Sequence, residues 1–353
     1  QSLNPLIVEI DKQPLIQDLN HKFCSLGSCF AQNLKTFMSP FRFKFYFERQ
    51  VCAQYHSIGM EDLLKRLDNG DGYSDDLIYK FSEQDHMAYQ YFRLRYYGEN
   101  SKERVRDEMK RLDKECLNNI AECDTLITTF GTTVYRKRNN GKLMNCFYGM
   151  SMKNTQPFAQ LSVDEIVESL HSIHANVLNI RKNKPFNWIL TISPQRYSWS
   201  KDITGLDKFQ QNQLCKSRYN VAINEFVRKT KHEVSKVIYF PSYEIVIDEL
   251  RLYETMSTYD HLHINQDLTP RYVVKKFLLS YATPELISAL PLIEDFDHLI
   301  AFTRNRLQAG AEFTSDLIHP AWDMYEDKLS KTQNIEKIRT ELIQLKEKFS
   351  TQI

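Results

Sequence analysis

The strongest constraint on this chain is a recurring unit: a short apolar strand, then a sharp stop or turn, then a helix. Lys22–Cys29 (KFCSLGSC) reads as a buried strand, and Phe30–Met38 as the helix after it, with Phe30, Leu34, Phe37 and Met38 on one face. Asp124–Phe130 (DTLITTF) is a second strand and stops at Gly131. Asn187–Ser193 (NWILTIS) is a third, stopped by Pro194, and Val237–Phe240 (VIYF) a fourth, ended by Pro241. Phe41–Phe47 (FRFKFYF) alternates aromatic and basic residues in the period of a strand. Helices are expected over Glu61–Leu67, Lys102–Asn119, Asp164–Ile180 with Ser162 as N-cap, Gln210–Lys231, Glu244–Tyr253 and Arg271–Ala282. Strands alternating with helices of this length make βαβ units and a mostly parallel sheet, an α/β fold. Ligands of such sheets bind beyond the carboxyl ends of the strands, so the chemistry is expected just after residues 28, 130, 193 and 240.

Composition removes several classes of function. Hydrophobic residues make up 42% of 353, enough for a sizeable core, which excludes an intrinsically disordered chain. Lys and Arg number 46 against 45 Asp and Glu, a formal net charge of +1, which argues against an electrostatic nucleic-acid binder. No apolar run approaches the ~18 residues that would span a bilayer. Seven cysteines (24, 29, 52, 116, 123, 146 and 215) form no CxxC pair and no Cys/His group with ligand spacing. They read as reduced, mostly buried thiols in a cytoplasmic protein, with no metal. Beginning at Gln1 rather than Met, the sequence reads as processed or cut from a longer one. A domain over 1–290 is expected to be followed by a helical extension over 291–353. There Ile335, Ile338, Leu342, Leu345 and Phe349 make a short heptad seam, suited to a helix docked on the domain or to a homodimer or larger assembly.

Several residue groups fall where chemistry is expected. Gly27-Ser28-Cys29 lies between a strand and a helix, where backbone N–H groups and the helix dipole favour negative charge and a thiol gains nucleophilicity. Tyr259-Asp260-His261-Leu262-His263 sets a carboxylate three residues before an imidazole that it can orient. Gly131, Thr132 and Thr133 follow the second strand, and Ser57-Ile58-Gly59 the aromatic one; both offer N–H groups for an oxyanion hole. Arg196 and Tyr197 after the third strand, and Lys216 on the next helix, are candidates to hold a substrate hydroxyl or phosphate. Glu244, Asp248 and Arg251 share a helical face, best read as an ion-pair stripe. Each group also has an ordinary structural explanation, such as a Gly-Ser turn with Cys29 in the core or a surface-loop histidine.

Together these segments resemble the GSCFA family of the SGNH (GDSL-like) hydrolase superfamily. The resemblance rests on GSCFA at 27–31, ILTISP at 189–194, YFPSYEIVIDELR at 239–251, Asp260-x-x-His263 and Phe130-Gly131-Thr132, and spans roughly residues 20–280. It implies a flavodoxin-like three-layer α/β/α sandwich. It places Cys29 at the nucleophile position, with Ser28 the alternative, His263 as base and Asp260 as its orienter. Gly59, Gly131 and Thr132 stand for the oxyanion-hole blocks, although Thr replaces the usual Asn, and Asn145-Cys146-Phe147 stands where the family has Asn-Cys-His-Lys.

The activity so implied is acyl-ester chemistry: O-acyl, in particular O-acetyl, transfer to a carbohydrate hydroxyl or hydrolysis from it, through a covalent acyl-enzyme. No bound cofactor is expected, and acyl-CoA is the candidate co-substrate. A thioester forms uphill from an oxygen ester but almost neutrally from another thioester, which matches a cysteine to such a donor. The alternative is an inactive glycan-binding or scaffold module of a polysaccharide-assembly protein.

Overall fold

Each apolar run becomes a strand of one five-stranded sheet. The computed structural model describes residues 7–41, 43–71, 78–80, 89–91, 94–144, 155–197, 201–229, 234–251, 253, 255–266 and 269–291. The sheet strands are β1 (Lys22–Gly27), β2 (Lys44–Tyr46), β3 (Thr125–Phe130), β4 (Phe186–Ile192) and β5 (Ser235–Phe240). Their order is β5-β4-β3-β1-β2, and β1–β3, β3–β4 and β4–β5 pair in parallel. This is the flavodoxin-like order, and its direction of growth reverses between β1 and β3. The expected α/β three-layer architecture is the one observed.

Because both faces of a parallel sheet are covered, β3 is buried at every residue. Cys24, Leu26, Leu126, Trp188, Leu190 and Ile192 alternate onto one face and join a single core with residues of the helices. Those helices are α3 (Ser57–Asn69), α4 (Ser101–Glu122), α5 (Val163–Ile180) and α6 (Lys208–Lys229), which follow α1 (Cys29–Met38) and the single turn α2 (Arg49–Cys52). The threonines in β3 are satisfied across the sheet: Thr128 Oγ1 accepts from Trp188 Nε1 at 3.0 Å. Ser162 caps α5 as expected, and Glu165 completes the reciprocal pair of bonds.

The helix expected over Glu244–Tyr253 is broken. An α turn at Ser242–Glu244 runs into a π-helical segment at Ile245–Glu249. Arg251 and Asp248 do pair, at 2.6 Å, but Glu244 turns away to Tyr239 and Asn220.

The described residues fall into two compact units. The first holds those of Gln1–Glu9, Lys22–Thr36 and Phe45–Val273; the second, those of Ile10–His21, Phe37–Lys44 and Val274–Ile353. Within the second, Leu15 and Ile16 donate backbone bonds to Tyr281 O, and Ile16, Phe277, Leu278 and Leu286 are buried. The seam at 335–349 and the Asn145-Cys146-Phe147 segment lie outside the described residues. Among the described residues no helix is long and apolar enough to cross a membrane.

Candidate active site

The sheet's switch point between β1 and β3 is where the first unit brings its chemical groups together. β1 ends at Gly27 with φ of 141°. A side chain there would collide with the hydroxyl and backbone of Thr129, so only glycine lets β1 run this close to β3. The next residue, Ser28, is fully buried. Its N–H donates to Thr129 Oγ1 at 3.0 Å, and its own Oγ accepts the Phe30 N–H at 3.3 Å as a helix cap.

Cys29 is the first residue of α1, where a helix leaves N–H groups without intrahelical partners. It is half-buried, whereas Cys24, Cys52, Cys116, Cys123 and Cys215 are buried; all six described cysteines are free thiols. Burial pushes the Cys123 thiol up to about 12 and the Cys24 thiol well above its ordinary value. Arg49, on α2, points a guanidinium nitrogen at Cys29 Sγ, 3.9 Å away. A single helical turn carries no periodic signal, so nothing in the sequence marks Arg49.

A short crossing segment, residues 53–57, roofs the switch point. Gln54 N–H donates to Gly27 O at 3.0 Å. Tyr55 O then accepts both the Gly131 and the Thr132 N–H, at 3.2 and 3.1 Å. His56 caps α3, its Nδ1 accepting the Gly59 N–H at 2.9 Å. The N–H groups of Gly59, Gly131 and Thr132 are therefore already paired within the chain. Thr132 Oγ1 accepts the Val134 N–H, and Thr133 contacts Cys215 Sγ at 3.1 Å.

The segment after β4 forms the opposite wall. Tyr197 packs edge-on to Tyr55, with ring centroids 6.0 Å apart, and its hydroxyl fills the space that a Gly131 side chain would take. Burial raises the Tyr197 hydroxyl well above its ordinary value. Nearby Tyr55 and Cys29 add to this, while a hydrogen bond from Ser28 works against it. Lys216 is 2% exposed, and its ammonium is turned inward, donating to Gly131 O and Gln195 O at 2.9 Å each. Its contacts are therefore with the frame of the site.

Arg196 leads to the imidazole. Its N–H donates to Leu262 O at 2.9 Å and its guanidinium to His261 O at 3.0 Å. In that loop His263 Nδ1 meets Asp260 Oδ2 at 2.6 Å. This bond, followed by the Leu262 and His263 N–H groups, holds the Asp260 carboxyl down at about 2. An imidazole held this way through Nδ1 keeps Nε2 for moving a proton. Among the described residues no group of three His, Cys, Asp or Glu is placed to share a metal ion.

The sequence-expected residues thus form two sets joined by the Arg196–Tyr197 segment: Ser28, Cys29, Gly131 and Thr132 around the switch point, and Asp260 with His263 on the loop. The family model that matches this chain is that of the GSCFA family, over residues 22–277. No curated protein matches it.

Proposed function

The chain belongs to the GSCFA family, and on that premise, with the geometry at the switch point, we propose that it performs acyl-ester chemistry through an acyl-enzyme on Cys29. The substrate is a carbohydrate-type hydroxyl, to which an acyl group, in particular acetyl, is transferred or from which it is hydrolysed. Membership of the wider SGNH hydrolase superfamily is part of this reading, and so are a cytoplasmic setting and acyl-CoA as donor.

The observation that carries it is the contrast between two neighbours. Ser28 is wholly buried and committed to capping α1, while Cys29 is only half-buried at the helix N-terminus beside Arg49. Of the two, only the thiol is partly exposed and so reachable by an acyl donor. In the first half-reaction Cys29 Sγ bonds to the acyl carbon and His263 takes the thiol proton. The bond from that carbon to the donor's sulfur or oxygen then breaks, and His263 returns the proton to the leaving group. In the second, a sugar hydroxyl or water attacks the thioester and gives its proton to His263, and Cys29 departs as the thiol. Asp260 holds the ring throughout. The paired Tyr55 and Tyr197 rings offer the aromatic surface that suits a sugar.

Intact-protein mass spectrometry after exposure to acetyl-CoA or an activated acetyl ester tests the proposal. The expected result is an added acetyl group from acetyl-CoA that survives in Ser28→Ala and vanishes in Cys29→Ala. An adduct from the ester alone would favour hydrolysis. Retention in Cys29→Ala with loss in Ser28→Ala would overturn the nucleophile assignment. Absence of any adduct after a quench at seconds would favour the glycan-binding module instead.

A further inference from the structure

The site has an acyl-accepting thiol but few backbone donors left for the oxygen that becomes negative when the thiol attacks. Gly131 and Thr132 N–H are both bound to Tyr55 O, and Gly59 N–H to His56 Nδ1. Ser28 N–H is bound to Thr129 Oγ1, Phe30 N–H to Ser28 Oγ and Ala31 N–H to Ser28 O. Within this turn the Cys29 N–H alone has no partner among the described residues. Such a hole works through preorganised donors aimed at the developing charge, and hydroxyl side chains serve as well as backbone.

We propose that the Tyr197 hydroxyl is the side-chain donor to the oxyanion formed at Cys29. The inference rests on the reading of Cys29 as nucleophile. The phenol lies against the glycine that follows β3, beside the switch point, where its oxygen occupies the space that a side chain at Gly131 would fill. The phenol is near enough to Ser28 and Cys29 for both to act on it electrostatically, and a phenol O–H donates as well as accepts. The ring is held on several sides. Asn212 Oδ1 accepts the Tyr197 N–H at 3.3 Å, Tyr55 stands edge-on, and Lys216 Nζ lies 5.1 Å from the ring centroid. The Lys216 ammonium also joins Gly131 O to Gln195 O, fixing the turn and the tyrosine-bearing segment to each other. This makes Gly131 a necessity of the site for a reason other than its N–H: it makes room for a phenol.

Two rates at the same sulfur separate the proposal from a structural role. Acylation by an activated acetyl ester passes through an oxyanion, whereas alkylation by iodoacetamide does not. Tyr197→Phe is expected to slow acylation of Cys29 by roughly 10²–10³-fold and to leave alkylation unchanged. Gly131→Ala, which displaces the phenol, is expected to reproduce that split. Equal acylation in wild type and Tyr197→Phe would overturn the inference alone, as would a parallel loss of both rates. A wild-type protein that alkylates but never acylates would overturn the nucleophile reading and this inference with it.

Discussion

Lys216 shows how much of a site's chemistry is decided by a single residue's surroundings. Burial pushes its ammonium from 10.5 down to about 7, while the unfolded chain keeps the ordinary value. Between those two pH values the unfolded state binds a proton that the folded state lacks, so this residue makes stability rise with pH across that window. Below about 7 both states are protonated and the contribution to the slope disappears. Lys216→Met is expected to flatten the rise, by on the order of 1 kcal/mol per pH unit. Urea unfolding of both proteins at pH 7 and pH 9 measures it. From the sequence Lys216 could be placed only on a helix near the ligand end. Its partners, Gly131 and Gln195, lie 85 and 21 residues away, and no local pattern announces carbonyls brought from that distance.

At the scale of elements, α3 starts earlier than its apolar periodicity suggests, at Ser57 rather than Glu61, because His56 caps it. Histidine is not among the favoured capping types, so the start was not legible. The cap needs a neutral ring, and burial lowers the His56 pKa to about 4. As pH falls from about 6.5 towards 4, the unfolded chain takes up a proton that the folded one refuses, and stability is lost. His56→Asn keeps an acceptor for the Gly59 N–H and is expected to remove this acid loss. Thermal unfolding at pH 7 and pH 4.5 decides it: an equal acid loss in the variant would refute the assignment. The sheet strands were readable for the opposite reason, since runs such as TLITTF are buried on both faces and end at a glycine or proline. The π-helical turn at Ile245–Glu249 was not, because its sequence fits an α-helix equally well. Tyr55 and Arg49 escaped notice too, lying on a crossing segment and a single turn that carry no motif. The Asp260–His263 pair is visible from spacing, but the bonds that tie its loop to the segment after β4, from the Arg196 backbone and guanidinium, exist only once the chain folds.

Across the whole sheet, the two ends of the strands do different work. The carboxyl ends of β1, β3 and β4 carry the groups proposed for chemistry. The amino ends are tied by Arg181, 4% exposed, which donates to Ile120 O at 2.6 Å, Pro185 O at 2.9 Å and Lys184 O at 3.3 Å. Arg181→Met strips those carbonyls of a charged donor and is expected to cost about 2–4 kcal/mol of stability. The alkylation rate of Cys29 should not change, since the tie lies at the other end of the strands. A fall in that rate would mean that the two ends are coupled. The roof of the switch point is bound differently, through Gly27 O and Tyr55 O and the N–H groups of Gln54, Gly131 and Thr132, atoms that almost every amino acid possesses. Apart from the two glycines, which close packing requires, such a junction does not read the side chains of the residues that form it. The ring at position 55 is therefore exchangeable without breaking these bonds, and a lineage could change the aromatic surface it shares with Tyr197 by altering one codon.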